Sequence, residues 1–183
     1  AGFIVNRILL PYLNEAAFIL EEVPDIKRID RVIKNFGMPM GPFTLADTVG
    51  IDIGYKVASI LKEAYGDRMP ISPIIEKIYN KKELGVKTGS GFYTYNKKEK
   101  IVNNNVTSML EKSSKLITDE QIINRCIYIM INEASRCLEE GIVDDPTIID
   151  FAMVTGTGFP PYKGGLCNLA NEIGIKNIVK TLQ

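Results

Sequence analysis

The sequence predicts an all-α protein made of two tandem, pseudo-repeated helical domains. Apolar residues recur at helical spacing over residues 3–22 and again over residues 118–140, as expected for helices that bury one face. Glycine, proline and capping residues separate shorter stretches of the same kind. The third observation is the repeat itself, because the two long stretches carry the same polar residues in the same order.

Eight positions of the first long helix recur at one constant offset of 118 residues. Asn-Arg, Asn-Glu-Ala and Leu-Glu-Glu stand at residues 6–7, 14–16 and 20–22, and again at 124–125, 132–134 and 138–140. The offset grows to 124 further along the chain, as small loop insertions would produce. The sequence therefore predicts a first domain at residues 1–96, a linker with a short helix at 97–117, and a second, shorter copy at 118–183.

Five helices are predicted in the first unit. They cover residues 3–22, 25–36, 44–49, 52–65 and 73–79. Thr44, Asp52 and Ser72 are expected to cap the last three of these helices. Residues 37–42 (GMPMGP) are too rich in glycine and proline for regular structure and predict an ordered turn. Residues 87–95 (KTGSGFYTY) predict a glycine-bent segment that ends in aromatic residues.

The second unit repeats this plan in shortened form. Residues 96–105 are polar and lysine-rich, and we expect them to link the units ahead of the short helix. Thr118 and Gln121 form a capping box for the repeated long helix. Asp145, before a proline, is expected to start the next helix, and residues 156–161 form a turn in the place of GMPMGP. No counterpart of KTGSGFY follows.

Composition excludes several functional classes. Apolar residues make up 45% and charged residues 24% of the chain, and the formal net charge is zero. These values are typical of a soluble globular protein and speak against an extended nucleic-acid surface. Apolar runs fall short of the roughly 20 residues of a membrane span, and no secretory signal is visible. The chain starts at Ala1 directly in a helix, so we expect a fragment, or a chain that works beside another segment.

The chain contains no histidine, which removes the commonest general base and metal ligand. Cys126, Cys137 and Cys167 show no CxxC spacing. We therefore expect reduced core thiols, as in a cytoplasmic protein, and no nucleophilic cysteine. The glutamate pairs at 21–22 and 139–140 are expected to be solvated helix ends, so no metal site is predicted.

Two GxG sequences superficially suggest nucleotide binding. Gly89-Ser-Gly91 and Gly156-Thr-Gly158 both lack the third glycine of a dinucleotide fingerprint, and neither follows a predicted strand. Prolines at 160–161 also remove backbone amides that would have to face phosphate. We interpret both as ordered turns and expect no cofactor to bind this chain alone.

Asn6 is the candidate functional residue of the first helix. A polar side chain in an apolar helix is costly unless it is hydrogen-bonded. Asn6 either satisfies a neighbouring backbone group or helix end, or provides a neutral amide that orients a substrate oxygen in a site completed by another domain. Asn14 and Asn132, each followed by Glu-Ala, are expected to be structural.

Three motifs resemble one family. The sequences GFIVNRILLPYLNEA (2–16), MGPFTLADTVGID (40–52) and KTGSGFYTY (87–95) resemble the C-terminal helical domain of NAD-dependent L-3-hydroxyacyl-CoA dehydrogenases. This domain is of the 6-phosphogluconate-dehydrogenase C-terminal-like type. Two tandem copies resemble the multifunctional fatty-acid oxidation enzymes, whereas single-function enzymes carry one copy and dimerise through it.

The resemblance implies a part of an enzyme of fatty-acid β-oxidation that oxidises 3-hydroxyacyl-CoA to 3-oxoacyl-CoA. A Rossmann domain outside these residues would bind NAD and supply a catalytic His–Glu pair, so the isolated chain is expected to be inactive. Asn6 matches the family residue that helps hold the substrate's oxygens. Met40, Gly41 and Pro42 would line the acyl side of the cleft. Asn124 matches Asn6 by repeat, but the family's second copy supports the first and has no active site.

The partners implied are an acyl-CoA substrate, the Rossmann NAD domain, and hydratase and thiolase components. Neither nucleic acid nor a membrane span is expected. The alternative is an autonomous helical interaction module that retains only the packing surface and does not catalyse. We expect a monomer, because two pseudo-symmetric copies satisfy internally an interface that single-copy relatives satisfy by dimerising.

Overall fold

The computed structural model describes residues 3–96, 99–111, 113 and 115–182. Over these ranges the chain forms ten α-helices and one small sheet. The helices are α1 (Ile4–Glu22), α2 (Ile26–Phe36), α3 (Pro42–Val49), α4 (Ile51–Tyr65), α5 (Pro73–Asn80), α6 (Asn104–Ser108), α7 (Asp119–Glu139), α8 (Pro146–Thr157), α9 (Leu166–Ile173) and α10 (Ile175–Leu182). The predicted all-α fold class is confirmed. In the described ranges, no helix is both long and apolar enough to cross a membrane.

A two-stranded antiparallel sheet is the exception that the sequence analysis missed. Strand β1 (Tyr93–Tyr95) pairs with β2 (Lys100–Val102), so that Tyr93 stands opposite Val102. The lysine-rich stretch predicted as a linker therefore folds back onto the first unit. Its residues Ile101 and Val102 pair with the end of the glycine-bent segment and form a hairpin with it. Residues 97–98 of that stretch lie outside the described residues.

Several helix starts follow the local capping signals, and two do not. The capping box of Thr118 begins α7 as predicted, and the Asp145 side chain caps α8. The predicted caps Thr44 and Asp52 are wrong. The N-cap residues of α3 and α4 are Gly41 and Gly50, three and two residues earlier. A residue remote in sequence caps α3, as described below.

Helices α1 and α7 pack along each other at the centre of one continuous core. Tyr12 of α1 and Met130 of α7 occupy repeat-related positions, and both are fully buried. Ala16 and Ala134 are also related by the repeat and at most 1% exposed. Their small side chains allow the two helices to approach closely, so the recurrent Asn-Glu-Ala triplets mark the contact between the copies.

Ion pairs across this contact are reciprocal. The four pairs are Arg7–Glu133 at 2.7 Å, Arg7–Glu140 at 2.7 Å, Arg125–Glu15 at 2.6 Å and Arg125–Glu22 at 2.9 Å. Each arginine thus contacts the two glutamates of the other helix that stand eight and fifteen residues after that helix's own arginine. This is the pattern of an isologous interface, here made within one chain. The interpretation of residues 21–22 and 139–140 as solvated helix ends is therefore wrong for Glu22 and Glu140. It is also wrong for Glu21, whose Oε1 accepts from the hydroxyl of Ser72 and the amide of Ile74, each at 2.9 Å.

Candidate substrate-binding site

One face of α1 carries Asn6 and borders an apolar groove. Leu10 and Leu13 line this groove, and its other walls include Pro42 and Phe92. Asn6 lies one helical turn, about 5.4 Å, before Leu10 on the same face of the helix. The helix geometry therefore places a side-chain amide beyond one end of an apolar groove.

The amide of Asn6 has no hydrogen-bond partner in the part of the chain that the structure describes, although the residue is half-buried. Asn14 differs, because its Nδ2 donates to the carbonyl oxygen of Pro70 at 2.6 Å and its Oδ1 accepts from the amide of Ser72 at 2.7 Å. The structural role predicted for Asn14 is thus confirmed, and that of Asn132 stays a prediction. Asn6 retains a free donor and acceptor that a ligand could use.

The turn that contains Met40, Gly41 and Pro42 joins α2 to α3. Met40 is half-buried, whereas Gly41 and Pro42 are buried. A Cβ atom at Gly41 would lie 2.3 Å from the Cα of Asp30, so only glycine fits there. Pro42 faces the apolar groove, while Met40 and Gly41 line a second cavity on the other side of the turn. The three residues predicted to bind substrate therefore separate two cavities.

Asp30, on α2, holds the start of α3 in place. Its Oδ1 accepts from the amide of Phe43 at 2.8 Å, and its Oδ2 accepts from the amide of Thr44 at 3.2 Å and from the hydroxyl of Tyr93 at 2.7 Å. These bonds satisfy amides that have no partner within the helix. The carboxylate also suits the positive end of the helix dipole.

The second unit contains the same capping arrangement. Asp150 accepts from the amides of Cys167 at 2.5 Å and Asn168 at 3.2 Å. A Cβ atom at Gly165 would lie 2.3 Å from the side chain of Asp150. Because Gly165 occupies the position of Gly41, the close approach of glycine to aspartate belongs to the fold. It does not by itself mark a substrate site.

The end of α8 bridges the first turn of α1 and the turn after α2. A Cβ atom at Gly156 would lie 3.1 Å from Cγ2 of Val5, and one at Gly158 would lie 2.9 Å from Cγ of Pro39. The second unit therefore joins the neighbour of Asn6 to the neighbour of Met40. The turn predicted at residues 156–161 starts late, because α8 continues to Thr157 and ends at Gly158 with a φ of 70°.

The glycine-bent segment wraps around a buried carboxylate on α3. Asp47 accepts from the amides of Phe92 and Tyr93 and from the hydroxyl of Tyr95, each at 2.9 Å. Burial raises the pKa of Asp47 to about 6, although these hydrogen bonds oppose the rise. The network fixes Phe92 in the wall of the groove. The second unit has Asn171 at the matching position, exposed, where no such segment covers it.

Tight packing constrains one glycine in each GxG sequence, and the three thiols are unpaired. A Cβ atom at Gly91 would lie 2.1 Å from Oδ1 of Asp47, so this glycine serves a tight packing contact. Cys126 and Cys137 are buried, Cys167 is half-buried, and all three are free. Burial raises the pKa of Cys167 to about 12 and leaves it unreactive near neutral pH. No group of three or more potential metal ligands occurs among the residues that are described.

Comparison with known proteins identifies related sequences. A sequence profile of the family described as "3-hydroxyacyl-CoA dehydrogenase, C-terminal domain" matches residues 2–95 and 122–183. The chain is 43% identical over 184 residues to the fatty acid oxidation complex subunit alpha of Vibrio campbellii, and 40% identical over 187 residues to that of Shewanella baltica. Both matches cover all of this chain but 26% of the relative. The chain thus spans about a quarter of the length of these curated relatives.

Solved structures show the same fold. The dehydrogenase part of multifunctional enzyme 1 from C. elegans is 33% identical, with a TM-score of 0.69, over 90% of this chain and 38% of that chain. A 3-hydroxybutyryl-CoA dehydrogenase from Escherichia coli has a TM-score of 0.78 over 99% of this chain and 55% of that chain. At 20% identity, that second likeness shows the fold alone.

Proposed function

The chain belongs to the 3-hydroxyacyl-CoA dehydrogenase C-terminal domain family, and on that basis we propose that it forms the helical substrate-binding region of such an enzyme. The reaction is the NAD-dependent oxidation of a 3-hydroxyacyl-CoA to a 3-oxoacyl-CoA in fatty-acid β-oxidation. The observation that carries the proposal is the unpartnered amide of Asn6 beyond the end of an apolar groove, in a chain whose relatives are fatty acid oxidation subunits.

Each part of the site has a task in this reaction. The amide of Asn6 donates a hydrogen bond to a substrate oxygen and helps to fix the reacting carbon, since a fixed donor stabilises charge that develops on oxygen. The groove between α1 and α3, with Pro42 as one wall, receives the start of the acyl chain and excludes water. The end of α8 holds the first turn of α1, which carries Asn6, and the turn before Pro42 in fixed positions relative to each other.

The NAD cofactor requires residues that the described part of this chain does not offer. Gly91 and Gly158 both belong to packed turns, so neither is available to cradle a pyrophosphate. We assign NAD binding, hydride acceptance and the general base to a further, Rossmann-type domain. The isolated chain is accordingly proposed to be inactive.

We further propose that the chain consists of two units, at residues 1–96 and 118–183, of which only the first contacts substrate. The two matched segments at 2–95 and 122–183 and the reciprocal ion pairs support this division. Hydratase and thiolase components are proposed as further partners, because the relatives are subunits of fatty acid oxidation complexes. The free thiols support a cytoplasmic location.

The experiment replaces Asn6 by alanine in this chain joined to an NAD-binding domain of the family. We expect kcat for acetoacetyl-CoA reduction by NADH to fall about 10²-fold, as for the loss of one oxyanion donor. The melting temperature should not change, because the side chain of Asn6 makes no hydrogen bond in the described structure. Asn124→Ala is the matched control and should retain full activity. Equal losses in both variants, or no loss in Asn6→Ala, would contradict the proposed site.

A further inference from the structure

The second unit contains an apolar groove between α7, α9 and the start of α10, with a volume of about 210 Å³. It is the counterpart of the apolar groove of the first unit, because its lining residues match at the repeat offsets of 118 and 124 residues. The matching residues are Ile131, Leu166, Cys167, Ala170 and Ile175, in the places of Leu13, Pro42, Phe43, Ala46 and Ile51.

The two grooves differ in what covers them. In the first unit, α5 supplies Ile75 and the glycine-bent segment supplies Phe92 to the groove wall. No described residue covers the second groove in this way. As a result, Ile51 is 3% exposed, whereas its counterpart Ile175 is 52% exposed. Burial of such a side chain is favourable, so the second groove offers apolar surface to a further segment.

Three polar side chains fasten the cover of the first unit. At the start of α5, Asn14 accepts from the amide of Ser72 at 2.7 Å, and Glu21 accepts from the amide of Ile74 at 2.9 Å. Asp47 accepts from two amides of the glycine-bent segment, each at 2.9 Å. These bonds satisfy backbone groups that lack partners within a helix or strand.

The counterparts of these three anchors are Asn132, Glu139 and Asn171, and the side chain of each lacks a partner among the described residues. The ion pairs between α1 and α7 use Glu133 and Glu140 instead. Asparagine in the place of an aspartate still accepts a hydrogen bond from a backbone amide. One unpartnered polar residue at a surface is ordinary. Here all three anchor positions are free beside an uncovered groove.

We propose that this groove binds a segment of the same polypeptide that lies outside residues 1–183 and is composed like residues 70–95. Such a segment has a short amphipathic helix, whose first amides Glu139 would accept, and an aromatic turn, whose amide Asn171 would accept. The chain spans 26% of a curated relative, so the relative contains other segments. In the first unit the cover follows α4, and α10 stands in the place of α4. The cover of the second unit would accordingly follow α10.

Labelling with a maleimide tests whether the groove is covered. Ile175→Cys places a thiol at the exposed rim of the groove, and Lys180→Cys is the matched control on α10 outside the lining. Both thiols should react in residues 1–183 alone. In the natural polypeptide that contains the remaining residues, the thiol at position 175 should react at least about tenfold more slowly, because buried thiols are inert. The control should react equally in both proteins. Equal rates at position 175 would overturn the proposal.

A second experiment tests the anchors. Residues 60–95 are appended after Gln183, which matches Ser59 in the repeat, so that the extension continues α10 as α4 continues and provides a cover. The extended chain should melt at a higher temperature than the chain alone. Glu139→Gln should lower the melting temperature of the extended chain by about 2–4 °C, as for the loss of one helix cap, and leave the chain alone unchanged. The control Glu120→Gln should act equally on both. An extension that does not stabilise, or equal effects of Glu139→Gln in both proteins, would contradict the assigned anchors.

A second copy of the chain is the rival occupant of the groove. We expect light scattering to show a monomer for residues 1–183 and for Ile175→Asp. A concentration-dependent dimer that Ile175→Asp abolishes would assign the groove to a second copy and overturn the proposal.

Discussion

Two of the four reciprocal ion pairs between α1 and α7, Arg7–Glu133 and Arg125–Glu15, differ sharply in burial. The side chains of Arg7 and Glu133 are 2% and 5% exposed, whereas those of Arg125 and Glu15 are 30% and 23% exposed. The two pairs are of similar length, at 2.7 Å and 2.6 Å. The molecule therefore contains its own comparison between a buried and a partly solvated version of one contact.

The perturbation is Glu133→Gln, which keeps the shape of the side chain and removes its charge. Arg7 would then share the charge of Glu140 with Arg68, since both arginines contact Glu133 and Glu140. Removing one partner of a buried pair costs roughly 3–5 kcal/mol, because the remaining charge stays desolvated. The same change at Glu15 should cost about 1 kcal/mol or less, because water screens the partly exposed pair.

Urea unfolding at neutral pH gives the two free energies directly. Glu133→Gln should also lower the melting temperature by roughly 6–20 °C for a chain of this size. A double variant, Arg7→Met with Glu133→Leu, should recover most of the loss, since apolar side chains of similar volume replace a buried ion pair at little cost. Equal and small losses at Glu133 and Glu15 would refute the claim that burial distinguishes the two pairs.

Three further predictions concern stability and are measured by urea unfolding. Relative to Asp47→Asn, the wild-type free energy of unfolding should fall by about 2 kcal/mol from pH 4 to pH 7, because burial raises the pKa of Asp47 to about 6 and the folded state binds the proton more tightly. Relative to Asp52→Asn, the wild-type free energy of unfolding should instead rise as the pH is raised toward about 4, because the ion pair with Lys87 holds the pKa of Asp52 below its ordinary value; the same pH dependence below about pH 4 in the wild type and in Asp52→Asn would contradict this assignment. Tyr12→Phe should leave stability unchanged or raise it by about 1 kcal/mol, because the buried hydroxyl has no hydrogen-bond partner among the described residues; a loss above that size would reveal a partner. Gly41→Ala should cost about 1–3 kcal/mol through its backbone clash, whereas Gly54→Ala, in open space within α4, should gain up to about 1 kcal/mol; tolerance of alanine at Gly41 would show that α2 and α3 can separate.

Features set by neighbours in sequence could be predicted, and those set by remote contacts could not. The capping box of Thr118 and the cap of Asp145 each lie within four residues of the amides that they bind, so their spacing reveals them. Thr44 carries the same local signal but is overridden, because Asp30 reaches the amides of α3 from another helix. The β1–β2 hairpin was missed for a similar reason, since its lysine-rich strand gains stability only by pairing.

The repeat revealed which polar residues matter but not how they pair. Arg7 and Glu133 stand 126 residues apart, and a sequence that contains both gives no direct sign of their contact. Once the copies are treated as a pseudo-dimer, however, two-fold symmetry relates each arginine to the glutamates of the other copy. The eight repeated positions therefore indicate the pairing of the two helices as well as the repeat itself.

The candidate site was predicted only in part. Asn6 was singled out as a polar residue in an apolar helix, whereas its role at the substrate and that of the turn around Gly41 came from the family resemblance, and both roles remain predictions. The cations that line the second cavity were missed. A signal for them exists in the sequence, because α2 carries Arg31 and Lys34 where α8 carries apolar residues. This signal can be recognised only once it is known that Arg31 and Lys34 lie on the same face of α2, beside the turn.

The most direct test of the account measures acetoacetyl-CoA-dependent oxidation of NADH by the chain alone and by the chain joined to an NAD-binding domain of the family. We predict no turnover by residues 1–183 alone and clear turnover by the joined protein. Turnover by the chain alone would contradict the assignment of NAD binding to another domain. An inactive but folded joined protein would contradict the dehydrogenase function and favour the helical interaction module.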